Sequence, residues 1–167
     1  MRGFAIYLDS GALVIKSGKI TPEQTNVPGW RTDLASKRMD ELLDTVGYSA
    51  NGGVKLDGIL SAADCLSEGI IFTLKKRGYT PSNIPVITGQ DATATSLKYV
   101  KEGYQAMTIY KSSEELHEAV LDMVNAISSG HKATVNDTTT YNNGVKDMDS
   151  YLCTPELIDN SNLTKLL

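Results

Sequence analysis

The chain lacks most of the features that announce a chemistry. Among its 167 residues are only two cysteines, two histidines, two phenylalanines and one tryptophan. Cys65 and Cys153 stand apart without metal-ligand spacing. They fit two free, partly buried thiols, because an unpaired cysteine mostly behaves as a small apolar residue. His117 and His131 are equally isolated and read as surface residues, so no metal site is expected. No apolar run approaches the ~20 residues that a membrane-spanning helix needs. The net charge of −4 supplies no basic field for nucleic acid. There is no glycine-rich phosphate fingerprint, no GK[ST], no G-x-S-x-G, and no paired nucleophile and base. Neither an enzymatic reaction nor a cofactor can be assigned. The opening "MRGFAIYLDSGALVIKSG" has no apolar core or small-residue cleavage site of a signal peptide, so no address is readable there.

What is present is the composition of a globular domain with a real core, 41% hydrophobic and 22% charged. "RGFAIYLDSG" reads as the last turns of a helix stopped by Gly11, and "ALVIKSG" as a short strand ended by Gly18. "TPEQTNVPGW" is loop. "RTDLASKRMDELLDTVGY" is a helix, with Ala35, Met39, Leu42, Leu43 and Val46 on one face and Gly47 as its cap. A strand at Leu56 to Ser61 precedes the helix "ADCLSEGIIFTLKKRGY", whose basic last turn suits the negative end of the helix dipole. The strand "IPVIT", the helix "ATATSLKYVKEG" and the strand "QAMTIY" follow. "SSEELHEAVLDMVNAISSG" is the clearest helix. It opens on a Ser112–Glu115 capping box and carries an apolar stripe of Leu116, Val120, Met123, Val124 and Ile127. Beyond Gly130 the chain turns polar, with a turn at Asn142-Asn143-Gly144 and a strand expected around Ser150 to Cys153.

Strands alternating with helices imply an α/β fold, a doubly wound and mostly parallel sheet. In such sheets ligands bind beyond the carboxyl ends of the strands. Those ends carry Asp64, Gln90, Asp91 and Lys111, and the loop before a neighbouring helix adds Trp30 and Arg31. An aromatic plane, cations and short polar groups suit a neutral polyol. Its hydroxyls bond carboxylates and amides, most strongly where one partner is charged. Each residue also has a plainer use. Asp91 and Asp64 can cap the helices that follow them, Trp30 can be a packing residue of a Pro-Gly loop, and Lys111 can be an ordinary solvated lysine.

The blocks "GQDA…MTIYK" and "VNDTTTYNNGVK" are long and specific and shift the weight toward ligand roles, though Asp91 can both cap a helix and bind a ligand. Over nearly the whole chain the sequence resembles the carboxy-terminal half of a periplasmic sugar-binding protein of the xylose- and multiple-sugar-binding type, the solute receptor of an ABC importer. The resemblance implies a type I binding-protein lobe, three-layered and Rossmann-like, that clamps a monosaccharide (a pentose or a hexose) against a second lobe. It implies a periplasmic or membrane-associated extracellular location and ABC permease subunits as partners. It implies that Asp91 bonds sugar hydroxyls, that Trp30 stacks on the ring and that Lys111 is a further contact. Ala63 departs from the family, where an Asn often stands and touches the ligand. The resemblance divides the chain into a ligand-binding lobe, residues 1–111, and a hinge-crossing helix with C-terminal strands, residues 112–167. It further implies that the family's first lobe is missing, so that helix 112–129 would need a homodimer mate or a first-lobe partner. Two other readings stand beside it: the effector-sensing domain of a transcriptional regulator, against which the lack of a basic helix-turn-helix counts, and an interaction remnant that no longer binds sugar.

Overall fold

In the structure, a computed structural model that describes residues 2–166, the chain divides into two units. Unit 1 comprises residues 1–108 with 159–167, and unit 2 comprises residues 109–158. Unit 1 opens with helix α1 (Arg2–Asp9). The strand expected at residues 12–18 does not form. Leu13, Val14 and Ile15 are 44%, 65% and 38% exposed, and the Leu13 N–H bonds back to the Tyr7 carbonyl instead of joining a ladder. A short apolar run becomes a strand only where a partner strand and a buried face exist. The next loop holds a one-turn helix, α2 (Pro22–Thr25), closed by a capping box between Thr21 and Gln24, and then a 3-10 turn at Pro28–Trp30.

Helix α3 (Thr32–Val46) buries Ala35, Met39 and Leu43 and ends on Gly47, whose φ of 79° is the left-handed cap glycine permits. It packs on α4 (Asp64–Lys76). The approach is close because a side chain at Gly69 would strike the Thr32 carbonyl. The Ser36 and Thr73 hydroxyls join across the contact at 2.7 Å. Strands β1 (Gly58–Ile59) and β2 (Val86–Ile87) pair in parallel, Gly58 opposite Val86 and Ile59 opposite Ile87, and are shorter than the apolar runs that contain them. Met39, Leu43, Ile71, Leu74, Tyr79 and Ile87 form the main core. Helix α5 (Ala94–Glu102) follows β2.

Strand β3 (Met107–Tyr110) pairs with β4 (Glu156–Asp159), and the boundary between the units falls inside both. β4 lies beyond the strand expected at Ser150 to Cys153; there the structure has only a bridge from Ser150 to Asp137. In unit 2, α6 (Ser113–Ser128) is capped by Ser112, which accepts from the Glu115 N–H at 3.1 Å. The Glu115 carboxylate does not complete the expected box; it meets the Thr154 N–H at 3.4 Å. None of α6's residues is buried. The turn at Asn142 to Gly144 forms, with an Asn142–Asp147 bridge and Gly144 at φ 88°.

Candidate functional site

Because β1 and β2 run parallel, the loops that follow them leave the same edge of the sheet. Asp64, after β1, is fully buried. Its Oδ1 accepts from Gln105 Nε2 at 3.1 Å and its Oδ2 from the Thr93 N–H at 2.9 Å. The Thr108 hydroxyl lies 2.9 and 3.0 Å from the two oxygens. This placement corrects the two roles expected of Asp64. It is not a solvent-facing ligand, since protein donors occupy its carboxylate. Nor does it cap its own helix: it is the first residue of α4, Ala63 is the N-cap, and no side chain caps that end. Its charge still favours the positive end of α4. Gly89 is a glycine for the same reason: a Cβ there would lie 2.1 Å from Asp64 Oδ1 and 2.3 Å from Gln105 Nε2.

The loop after β2 is the most distorted backbone described. Asp91 and Ala92 have φ of 105° and 52°. Such conformations cost roughly 1–3 kcal/mol per residue and persist only where surrounding structure imposes them. Here the Gln90 carbonyl accepts from the Asp64 N–H at 2.9 Å, and the Ala92 N–H donates to Thr108 Oγ1 at 3.2 Å. Asp91 itself is exposed. It does not cap α5 as its spacing allows; Thr93 is the N-cap and accepts from the Ser96 N–H at 3.2 Å. Gln90 is half-buried and enters the network through its carbonyl.

Trp30 also adopts a left-handed backbone, φ 55°, and is 59% exposed. It lines an open concavity with Asn26, Val27, Ala62 and Leu66. Ala62 belongs to the loop after β1 and Leu66 to the first turn of α4, so the indole reaches the carboxyl edge of the sheet. Burial pushes the Cys65 thiol up, and the charges of Asp91 and Glu68 push it further. Cys65 and Cys153 are both unbridged. Arg31 follows Trp30, but its guanidinium is paired in a fork with Asp33, at 2.9 and 2.5 Å, on exposed surface. That pairing raises the Arg31 pKa and lowers that of Asp33. Lys111 lies in unit 2, exposed, immediately after β3. The structure thus brings Trp30, Gln90 and Asp91 to one edge of unit 1. Reasoning from sequence missed Thr93, Gln105 and Thr108. The only available signal was a Gln and a Thr inside the otherwise apolar strand "QAMTIY".

A parallel α/β unit with an aromatic side chain and a carboxylate at its carboxyl edge has these groups where such folds hold their ligands. The chain belongs to the periplasmic binding protein domain family, which matches residues 1–132. It is 40% identical over 163 residues to the multiple sugar-binding periplasmic receptor ChvE of Rhizobium radiobacter, covering 96% of this chain and 45% of that one. It is 31% identical over 157 residues to the D-xylose-binding periplasmic protein of Escherichia coli K12, covering 94% and 43%. The chain therefore spans less than half the length of these curated relatives. Among solved structures, an ABC transporter solute binding protein from Clostridium phytofermentans with bound β-D-glucose is 37% identical with a TM-score of 0.88, covering 100% of this chain and 50% of that one. The fold is accordingly that of type I periplasmic sugar-binding proteins.

Proposed function

We propose that this chain supplies one wall of a monosaccharide site in a solute receptor of an ABC sugar importer, working in the periplasm or extracellularly in association with the membrane, and that it carries out no catalysis. The carrying observation is that the exposed Trp30 ring lines a concavity with Ala62 and Leu66, and that the loop bearing the exposed Asp91 leaves the same edge of the sheet. The indole would take the carbon face of the sugar and Asp91 its hydroxyls, with Gln90 alongside. Lys111 and Arg31 are further contacts of this reading, Arg31 after exchanging Asp33 for ligand. Asp64 serves as support. Residues 1–111 form the ligand-binding lobe and residues 112–167 the hinge-crossing part. The α6 stripe supports a covering partner, either the lobe that longer relatives contribute or a second copy of this chain: Leu116, Val120, Val124 and Ile127 are 56%, 50%, 55% and 64% exposed. Permease subunits are the downstream partners.

Protein-observed NMR with D-glucose and D-xylose tests the site. Shifts should concentrate at residues 30–31 and 90–92. Shifts scattered over the surface, or none, would overturn the assignment. For the partner face, light scattering tests the second copy: it should find association that Val120→Asp with Val124→Asp abolishes, and a monodisperse wild-type monomer would exclude the second copy and leave the lobe of longer relatives as the partner.

A further inference from the structure

The network around Asp64 is larger than packing requires, and all of it converges on one loop. Backbone groups on both sides of Asp91 are held from the same place. The Gln90 carbonyl is bonded by the Asp64 N–H, the Ala92 N–H by Thr108 Oγ1, and the Thr93 N–H by Asp64 Oδ2. Thr108 links the last two, because its hydroxyl donates to the Asp64 carboxylate while accepting from Ala92. Gln105 holds Oδ1 from the other side and is itself fixed by the Met107 carbonyl at 3.0 Å. Asp91 and Ala92 lie between the outer fastenings at Gln90 and Thr93, and they alone in the loop have positive φ. A carboxylate with fully satisfied charge-assisted bonds in a dry interior is a stiff element.

We propose that Asp64 is a positioning residue: with Thr108 it clamps the 89–93 loop in the left-handed conformation that presents Asp91 to the ligand. This rests on reading Asp91 as a sugar-facing group, but the clamp itself can be examined without ligand. The site would then be preorganised, with the ordering of its central carboxylate completed during folding and not at the moment of binding. Gly89 belongs to the device, since any side chain there would displace both Asp64 and Gln105.

The test uses Thr108→Val, which keeps shape while removing the shared hydroxyl, and Asp64→Asn. In the 167-residue chain, three-bond HN–Hα couplings and carbon shifts of Asp91 and Ala92 report φ. Both variants should release these two residues toward negative φ while the resonances of α3 and α4 stay in place. Unchanged couplings in Thr108→Val would overturn the clamp, whether or not Asp64→Asn folds. With D-glucose as the probe, Thr108→Val should weaken binding about tenfold, the worth of one charge-assisted bond. In an Asp91→Ala background the same change should cost no further affinity; a full additive loss there would show that Thr108 acts by some route other than Asp91 and would refute positioning. If the wild-type chain binds neither glucose nor xylose, the receptor reading fails, and the couplings still decide the clamp.

Discussion

The two loops leaving the carboxyl edge of the β1–β2 pair each carry an aspartate and use it in opposite ways. After β1 the chain enters α4 at once, and Asp64 turns inward, with all its bonding capacity spent on the protein. After β2 the chain passes through two left-handed residues before α5 begins, and Asp91 is left at the surface. The first loop is regular with a buried charge; the second is strained with an exposed one. On the proposed reading, stability and recognition are separated by one strand, with the strained second loop held by the bonds of the first.

The largest expected effect breaks the inward member. Asp64→Ala leaves the Thr93 N–H, the Gln105 amide and the Thr108 hydroxyl short of partners, and should destabilise by about 3 kcal/mol or more in denaturant titration. Asp91→Gly is expected to act in the opposite direction. Glycine adopts positive φ without penalty, so stability should rise by about 1 kcal/mol while sugar binding weakens about tenfold. A destabilised Asp91→Gly would show that the carboxylate, and not the clamp, holds the loop.

The same contrast separates the two longest helices. Their apolar patterns are alike in sequence, yet α3 buries three residues and α6 none. Leu43→Ala should cost about 2–5 kcal/mol, whereas Val124→Ala in the monomer should stay within about 0.5 kcal/mol. A cost near 2 kcal/mol for Val124 would mean that its face is covered in solution.

This is also where the sequence was informative and where it was not. Periodicity and glycine caps located α3, α4, α5 and α6, because those signals act within a few residues. Periodicity is silent on what a face meets, so it could not separate α3 from α6, or show that Leu13 to Ile15 lack a partner strand. Trp30 and Asp91 were legible as strand-edge and loop residues. The role of Asp64 was not, because its partners Gln105 and Thr108 lie 41 and 44 residues away. Asp91 and Thr93 are both good capping types, and only the left-handed backbone at 91–92 makes Thr93 the cap.

The smallest effect concerns the exposed turn of unit 2. The Thr140 hydroxyl, and then its N–H, hold the Asp137 carboxyl below its usual range. A depressed folded pKa gives stability that is present above the unfolded value and lost as pH falls through the folded one, so this turn should loosen only on the acid side of the ordinary aspartate value of 3.8. Thr140→Val should move the Asp137 titration upward, as read by carboxyl-carbon NMR, leaving the neutral-pH structure unchanged.

The central claim is that Trp30 and Asp91 form one sugar-facing site, and the chain's single tryptophan makes it directly readable. Emission from Trp30 should be followed as D-glucose is added to the wild-type chain and to Asp91→Ala. With one wall of the cleft supplied, the account predicts a saturable change with a Kd of about millimolar, weakened about tenfold in Asp91→Ala. No saturable response in the wild type, or an equal response in both proteins, would contradict it.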